Sequence, residues 1–405
     1  MPTPQPARWT TSPPAAWPAA PADLTVSALG EIEACPRRWA LNAAAYPDLW
    51  ASRGYPPRLH PSSLAGSLVH SVLETVTREL VQAGCPTVQD ASAVRVLQSL
   101  GGFSKIIAAS ITQLSERLAQ NPRTAPHIEQ ITRTLRAQVG ELRVRVQMML
   151  SRRQLPPSQG PRTTTGGVPR SRTALTVGAY CELELRAPSI RWKGKADLLT
   201  LTPSICELTD FKTGDRSGQH GFQLVTYALL WSLDDELNPS KRLVDRLVLV
   251  YSDGDVATAG PSAQALDAFE QELVQRSENA RLSLAQLPPP ARPGADTCRF
   301  CGVRQLCDSY WRTAELFVVD AEKRFGDVEL TVSGRHGPAS WDVVIESGAA
   351  RTNGLMRTAI GTEFAPGDRI RVLDAAIKLP DAESGEPVVV TIGAASEMFH
   401  VQDTR

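Results

Sequence analysis

Long apolar runs are missing from this chain. No stretch approaches the roughly 18 consecutive apolar residues that a membrane-spanning helix needs, and residues 1–22 carry prolines where a secretory leader would carry an apolar core. The expectation is a cytoplasmic protein with no membrane partner. An excess of charge of either sign is missing too: 43 Lys and Arg face 43 Asp and Glu. Global charge therefore gives no reason to expect nucleic acid, a membrane or an acidic substrate. Nor is there a G-x-x-x-x-G-K-[ST] phosphate loop, so no P-loop nucleotide site is expected. Cysteine is sparse and odd in number, seven in 405 residues, which argues against a disulfide framework and for reduced thiols or metal ligands.

What is present is a globular composition. With 42% apolar and 21% charged residues the chain is not intrinsically disordered, and its length predicts two or three domains at ~150 residues each. Residues 1–22, with seven prolines and no apolar periodicity, read as a disordered tail. From Ser27 to Ala45 the spacing is helical, with Pro36 breaking the helix after its first turns. Leu64, Leu68, Val72, Val76 and Leu80 form one stripe of a helix over 63–83.

Residues 91–150 also read as helical, followed by a Pro/Gly/Arg/Thr loop over 151–173. Between Gly101 and Leu175 twelve Lys or Arg stand against three acids, so the neutral total hides a basic segment. Its charge suits either a solvated helix face or phosphate contact. Within it Arg136, Arg143, Arg145, Arg152 and Arg153 are the candidate DNA-binding residues.

The pattern then turns to strands at 178–186, 190–201 and 204–211, a helix from Phe222 to Leu237, a buried strand ending at Ser252, and a helix from Ser262 to Gln286. This is an α/β block. Beyond a cysteine-rich stretch at 298–307, five strands are expected between Phe325 and Val401, the third of them Arg357–Phe364; such a run fits a small barrel or sandwich. Residues 320–405 hold fourteen acids and nine Lys or Arg, with few aromatics, a poor match to a strand-binding face.

Two constellations carry chemistry. In the first, Gly194-Lys195-Ala196-Asp197 precedes Asp210-Phe211-Lys212-Thr213-Gly214. Two acids on adjacent strands can approach across a hairpin, and alternation puts Asp210 and Lys212 on one face while Phe211 enters the core. Hard divalent cations favour carboxylate oxygens, and an ammonium nearby can orient water or stabilise charge developing on a phosphate. Gln223 and Tyr227 follow on one helix face at i, i+4. In the second, Cys298-x2-Cys301-x5-Cys307 supplies three thiols of a metal site, and Cys35, in Cys35-Pro36-Arg37-Arg38-Trp39, is the fourth candidate. Spacing alone leaves zinc and iron–sulfur open. Cys85, Cys181 and Cys206 read as buried small hydrophobes.

The order Gly66-x-x-x-His70, Gly194-x-x-Asp197, Asp210-Phe211-Lys212-Thr213-Gly214, Gln223-x-x-x-Tyr227 resembles the PD-(D/E)xK nuclease superfamily. Specifically it resembles the RecB/AddB-type exonuclease branch, which includes the CRISPR-associated RecB-like exonucleases. The resemblance implies a restriction-endonuclease-like α/β core over 23–315, with a helical insertion at about 85–175; separately, the strand pattern over 320–405, with Gly326-Asp327 opening one strand and Pro366-Gly367-Asp368 another, resembles an OB-like all-β barrel. The nuclease resemblance implies that His70, Asp197 and Asp210 bind Mg2+ or Mn2+, with the Phe211 carbonyl as a further ligand. Lys212 would position or activate water, and Gln223 and Tyr227 would contact the substrate. Glu74 and either Glu182 or Glu184 stand near this set or in solvent.

Cys35, Cys298, Cys301 and Cys307 would hold a [4Fe-4S] cluster, with zinc the alternative metal. The implied activity is cleavage of DNA ends or single strands in repair, recombination or defence, beside a helicase or a defence complex. The competing expectation is a catalytically silent DNA-binding or scaffold subunit of such a complex.

Overall fold

The computed structural model describes residues 8–11, 14, 16–50, 54–59, 61–157, 172–313, 325–347, 350–359, 361–379, 387–394 and 396–401. In chain order the elements are β1 (Arg8–Thr11), α1 (Val26–Ala34), α2 (Pro36–Ala43), α3 (Pro47–Trp50), α4 (Pro61–Gln82), α5 (Ala91–Ser99), α6 (Gly102–Ala119), α7 (Ile128–Ala137) and α8 (Val139–Leu150). Then come β2 (Gly178–Ala187), β3 (Trp192–Leu201), β4 (Cys206–Phe211), α9 (Gly218–Leu233), β5 (Arg246–Tyr251), β6 (Gly254–Ala259) and α10 (Ala263–Ala285). Last are α11 (Ala295–Arg299), α12 (Asp308–Trp311), β7 (Phe325–Gly337), β8 (Ser340–Ser347), β9 (Ala350–Arg357), β10 (Arg369–Lys378), β11 (Val388–Thr391) and β12 (Glu397–Val401). No helix among the described residues is long and apolar enough to cross a membrane. The chain divides into two compact units, one of residues 1–19, 31–58 and 282–405, the other of 20–30 and 59–281.

The second unit is a mixed α/β structure. Its sheet runs β2-β3-β4-β5-β6. Strands β2, β3 and β4 form an antiparallel meander, while β4 and β5 are parallel, joined by the crossover helix α9. The α4 stripe behaves as its spacing predicts: Leu64, Leu68, Val72, Val76 and Leu80 are all buried, in one core with Ile107, Ile111 and Val146 of the insertion and Leu198, Phe211 and Val248 of the sheet. Asp90 caps α5 by accepting from the Ser92 N–H at 2.8 Å, and Ser217 caps α9 by accepting from the Gln219 N–H at 3.2 Å. Strand β6 is an edge strand whose residues are mostly exposed, so its apolar signal is too thin to read from sequence.

In the first unit β7, β8, β9, β11 and β10 pair in succession, and β10 pairs again with β7, so five strands close into a ring. Strands β9 and β11 are parallel. Leu330, Val343, Met356, Val372 and Val390 fill the interior. Two expectations are corrected here. The strand expected at Arg357–Phe364 lies earlier, at β9. Its Gly354 permits the packing, since a Cβ there would sit 2.7 Å from Ile345 Cδ1 and 2.9 Å from the Val388 carbonyl oxygen.

The second correction concerns the tail. Arg8–Thr11 is not disordered but pairs in parallel with β12. An edge strand needs only backbone groups and β-formers such as Trp9, Thr10 and Thr11, and these four residues contain no proline. The prolines at 2, 4 and 6 lie outside the described residues.

The cysteine-bearing segment 298–311 belongs to this same unit and is fastened to the sheet by buried charge. Arg304 pairs with Asp327 of β7, which also accepts from Tyr310 Oη at 2.8 Å. Arg371 of β10 donates to Glu329 at 2.7 Å, to Asp308 at 2.8 Å and to the Gln305 carbonyl at 2.8 Å. Burial alone would push the Asp327 carboxyl up. The Arg304 guanidinium and the hydrogen bonds it receives outweigh that and hold it below the ordinary carboxylate range.

Candidate active site

Strand register builds the site. Leu198 stands opposite Thr209 in the β3–β4 pair, and the next step outward sets Asp197 against Asp210 on the same face. On the other side of β3, Cys181 faces Leu198 and Leu183 faces Ala196, so Glu182 is opposite Asp197. Three carboxylates thus lie in a row across three strands. Glu182 occupies the left-handed region at φ 53°, an uncommon conformation for a side-chain-bearing residue inside a strand. Its carboxylate pairs with Lys195, whereas Glu184 points outward to Arg186.

Asp197 accepts a hydrogen bond from the Phe211 N–H at 2.7 Å. Burial, then the neighbouring Asp210 carboxylate, raise its pKa well above the usual value. Asp210 is 2% exposed; burial raises its pKa and the Lys212 ammonium opposes the rise. Oδ2 of Asp210 meets Lys212 Nζ at 2.6 Å.

Lys212 Nζ donates to Gln223 Oε1 at 2.6 Å, and Gln223 Nε2 donates to Tyr227 Oη at 2.7 Å. Burial pushes the Tyr227 phenol up to about 12. Gln223 and Tyr227 thus form a hydrogen-bonded chain to the lysine.

The motif glycines are packing residues. A Cβ on Gly194 would lie 2.7 Å from Tyr227 Cε1, and one on Gly66 would lie 2.7 Å from Thr213 Oγ1. Gly66 thereby lets α4 approach the end of β4, one turn before His70. His70 Nδ1 is 3.9 Å from Asp197 Oδ2. Burial lowers its pKa against the pull of Asp210, which favours the neutral ring a metal requires. On α9, His220 Nδ1 lies 2.8 Å from Tyr251 Oη, a pair that no sequence motif marks.

Among the described residues, no group of three or more His, Cys, Asp or Glu side chains stands close enough to hold a metal ion unaided. The donor set nonetheless suits a hard divalent ion, which takes one or two carboxylates and fills its shell with water and substrate oxygens. Two carboxylates raised by burial, with Asp197 raised further by Asp210, are relieved by such a cation.

A cleft of about 1280 Å³ opens on this site, lined by Gly66, His70, Glu74, Glu182, Asp197 and Thr213 on one side and by α6, α7 and α8 on the other. The basic segment contributes less than its charge suggested. Arg117 and Arg145 line the cleft, and Arg145 is paired with Glu141 at 2.7 Å. Arg136 and Arg143 are exposed elsewhere on their helices.

Arg152 and Arg153, expected on a DNA backbone, are turned onto Asp255, with Arg153 buried. Freeing Arg153 would strand a buried charge at a cost of several kcal/mol. Arg162 and Arg170 lie outside the described residues.

In the first unit the four candidate cysteines share one small cavity with Arg37, Arg38, Arg304 and Tyr310. Cys35 stands at the N-cap position of α2 without a side-chain capping bond, and Pro36 starts the helix. Its Sγ accepts from the Arg292 N–H at 3.4 Å, and Arg37 Nε donates to the Pro289 carbonyl at 2.6 Å. The segment before Cys298 is thus strapped to α2. Burial pushes the Cys301 thiol up to about 12 and raises Cys298 and Cys307 as well, each also raised by a neighbouring cysteine of the set.

The model of the PD-(D/E)XK nuclease superfamily matches residues 23–308. The chain belongs to this superfamily. The matched span contains every residue of both constellations. No curated protein matches the chain.

Among solved structures, the one described as the crystal structure of SSO0001 is 19% identical, with 32% of this chain and 59% of that chain covered and a TM-score of 0.21. A murine DNA binding protein bound with double-stranded DNA is 10% identical over 56% of this chain and 94% of its own, with a TM-score of 0.18. The p204 HINb domain is 11% identical over 51% and 85%, also at 0.18. The chain spans 59% of the first of these structures.

Proposed function

We propose that this chain is a Mg2+- or Mn2+-dependent deoxyribonuclease of the RecB/AddB-type branch, an exonuclease working at DNA ends or on single strands in the cytoplasm. The observation that supports it most is the placement of Lys212, beside Asp210 and hydrogen-bonded to Gln223, where Asp197 and Asp210 face each other. His70, Asp197 and Asp210 would hold the divalent ion, with the Phe211 carbonyl beside them. When bound, that ion polarises the phosphodiester and makes water a better nucleophile. Lys212 orients the attacking water and offsets negative charge on the phosphate. Gln223 and Tyr227 keep its ammonium in place.

The domains we assign are the nuclease over 23–315, with its insertion at about 85–175, and an OB-like barrel over 320–405. The closed ring and its parallel β9–β11 pair favour the barrel. Cys35, Cys298, Cys301 and Cys307 would carry a [4Fe-4S] cluster, zinc being the other metal that suits four thiolates. Strands would be delivered by a helicase or a defence complex in repair, recombination or defence.

The test is cleavage of end-labelled single- and double-stranded DNA with Mg2+ or Mn2+, comparing wild type with Asp210→Ala. Activity confined to the wild type is expected. Equal cleavage by both removes the active-site assignment, and cleavage by neither favours a silent DNA-binding or scaffold role.

A further inference from the structure

We infer that His220 is a substrate-positioning residue whose Nε2 donates a hydrogen bond to a phosphate oxygen, with Tyr251 holding the ring in the tautomer this requires. The inference rests on the nuclease reading for the phosphate and adds a contact outside the motif residues. His220, Gln223 and Tyr227 are spaced i, i+3, i+7 and so share one face of α9. Gln223 and Tyr227 lead to Lys212, and His220 stands one turn nearer the start of the helix.

Tyr251 ends β5, the strand paired with β4, and the Lys212 N–H donates to the neighbouring Val250 carbonyl at 2.9 Å. The His220–Tyr251 pair therefore lies at the strand ends that carry Asp210 and Lys212. Both of those charges act on the imidazole.

Chemistry narrows the role. His220 Nδ1 is 2.8 Å from Tyr251 Oη. Burial raises the Tyr251 pKa, so the phenol keeps its proton. A phenol is a stronger acid than a neutral imidazole N–H, so Oη donates and Nδ1 accepts. Burial, then the Lys212 ammonium, lower the His220 pKa, which leaves the ring neutral with its one proton on Nε2.

A nitrogen that already carries the proton cannot take another from water. A neutral imidazole is also too weak an acid to protonate a leaving oxygen, so neither base nor acid catalysis fits. What remains is a half-buried donor that bonds to no protein group among the described residues. Its surroundings favour an anion: Arg216 lies over the Tyr251 ring, 5.2 Å from the centroid, and Lys212 is the second cation. The acids here, Asp210 and Asp253, are each paired with one of these. Neutral donors contact phosphate oxygens alongside Arg and Lys and fix the register of the backbone.

The test compares the full-length wild type with His220→Asn, His220→Gln and Tyr251→Phe. Asparagine keeps a polar group where Nδ1 meets Tyr251 and removes the donor at Nε2, whereas glutamine supplies an N–H where Nε2 stands. Fluorescence anisotropy in Ca2+ measures binding to labelled single-stranded and duplex DNA, and kcat/KM is measured in Mn2+. A phosphorothioate replaces one phosphate at a time, because sulfur accepts hydrogen bonds poorly. Losing a bond to a charged acceptor should weaken binding about tenfold or more in His220→Asn, with His220→Gln within about threefold of wild type and Tyr251→Phe between them. Sulfur at the contacted phosphate should weaken the wild type and leave His220→Asn unchanged.

Affinity of His220→Asn within about twofold of wild type overturns the inference. So does a loss in His220→Gln as large as in His220→Asn, which would make the ring a packing group. A sulfur effect that is the same in wild type and His220→Asn at every phosphate overturns it as well. If wild type cleaves DNA while His220→Asn binds and cleaves normally, this inference falls and the nuclease reading stands. If His220→Asn loses affinity while wild type cleaves nothing, the reverse holds. A wild type that neither binds nor cleaves removes both.

Discussion

Gln223 accepts a hydrogen bond from Lys212 at 2.6 Å and passes one on to Tyr227 at 2.7 Å. The ammonium is therefore held from the helix side while Asp210 attracts it from the strand side. A residue that acts by holding another should affect turnover more than binding.

Gln223→Ala should lower kcat by ~10²-fold, the usual penalty for displacing a reacting group by about an ångström, with little change in KM. Tyr227→Phe should do the same more weakly, since Gln223 keeps its bond to Lys212. Steady-state cleavage assays decide; a rise confined to KM would show that Gln223 contacts the substrate instead.

Glu182 stands opposite Asp197 in a backbone conformation that favours glycine. Glu182→Gly should relieve about 1 kcal/mol of that strain and remove a carboxylate from the row. The expected signature is unchanged or increased stability together with a higher Mn2+ concentration for half-maximal activity. Stability that falls with no change in metal dependence would make Glu182 merely a partner of Lys195.

Cys35→Ala removes one of the four thiols around the shared cavity. The wild type should carry iron and a broad visible absorption, and the variant should lose both along with stability of the first unit. Elemental analysis of the wild type separates the metals: zinc in place of iron sinks the cluster but keeps the site.

The Arg304–Asp327 pair predicts acid sensitivity. Asp327 has a folded pKa below its unfolded value, so its contribution is complete above the unfolded value of ~3.9 and is lost as pH falls through the folded one. Asp327→Asn should cost about 3–5 kcal/mol near neutrality, and the gap from wild type should begin to narrow below about pH 4 and close only below the folded value. Denaturation profiles across pH measure it, and a gap independent of pH refutes the linkage.

Much of the site could be read from the sequence because its residues sit on regular elements. Strand alternation put Asp210 and Lys212 on one face, and the α4 stripe oriented the helix that carries His70. Spacing could not show that Arg152 and Arg153 are spent on Asp255, a partner about a hundred residues away whose choice only the tertiary fold makes. Edge strands such as β1 and β6 were equally hidden, since pairing there uses backbone groups that every sequence possesses. The role of Gly194 emerged only with the ring of Tyr227 placed against it.

The strand Arg8–Thr11 and its partner β12 belong to a unit assembled from the two ends of the sequence, with the nuclease residues between them. That arrangement imposes an order on synthesis. A growing chain of 281 residues already contains every residue of the other unit, whereas the segment bearing Cys35 must wait for Cys298, Cys301 and Cys307 to be translated. Since domains fold as units while the chain emerges, the unit bearing Asp197, Asp210 and Lys212 is fully translated before the thiol pocket can close.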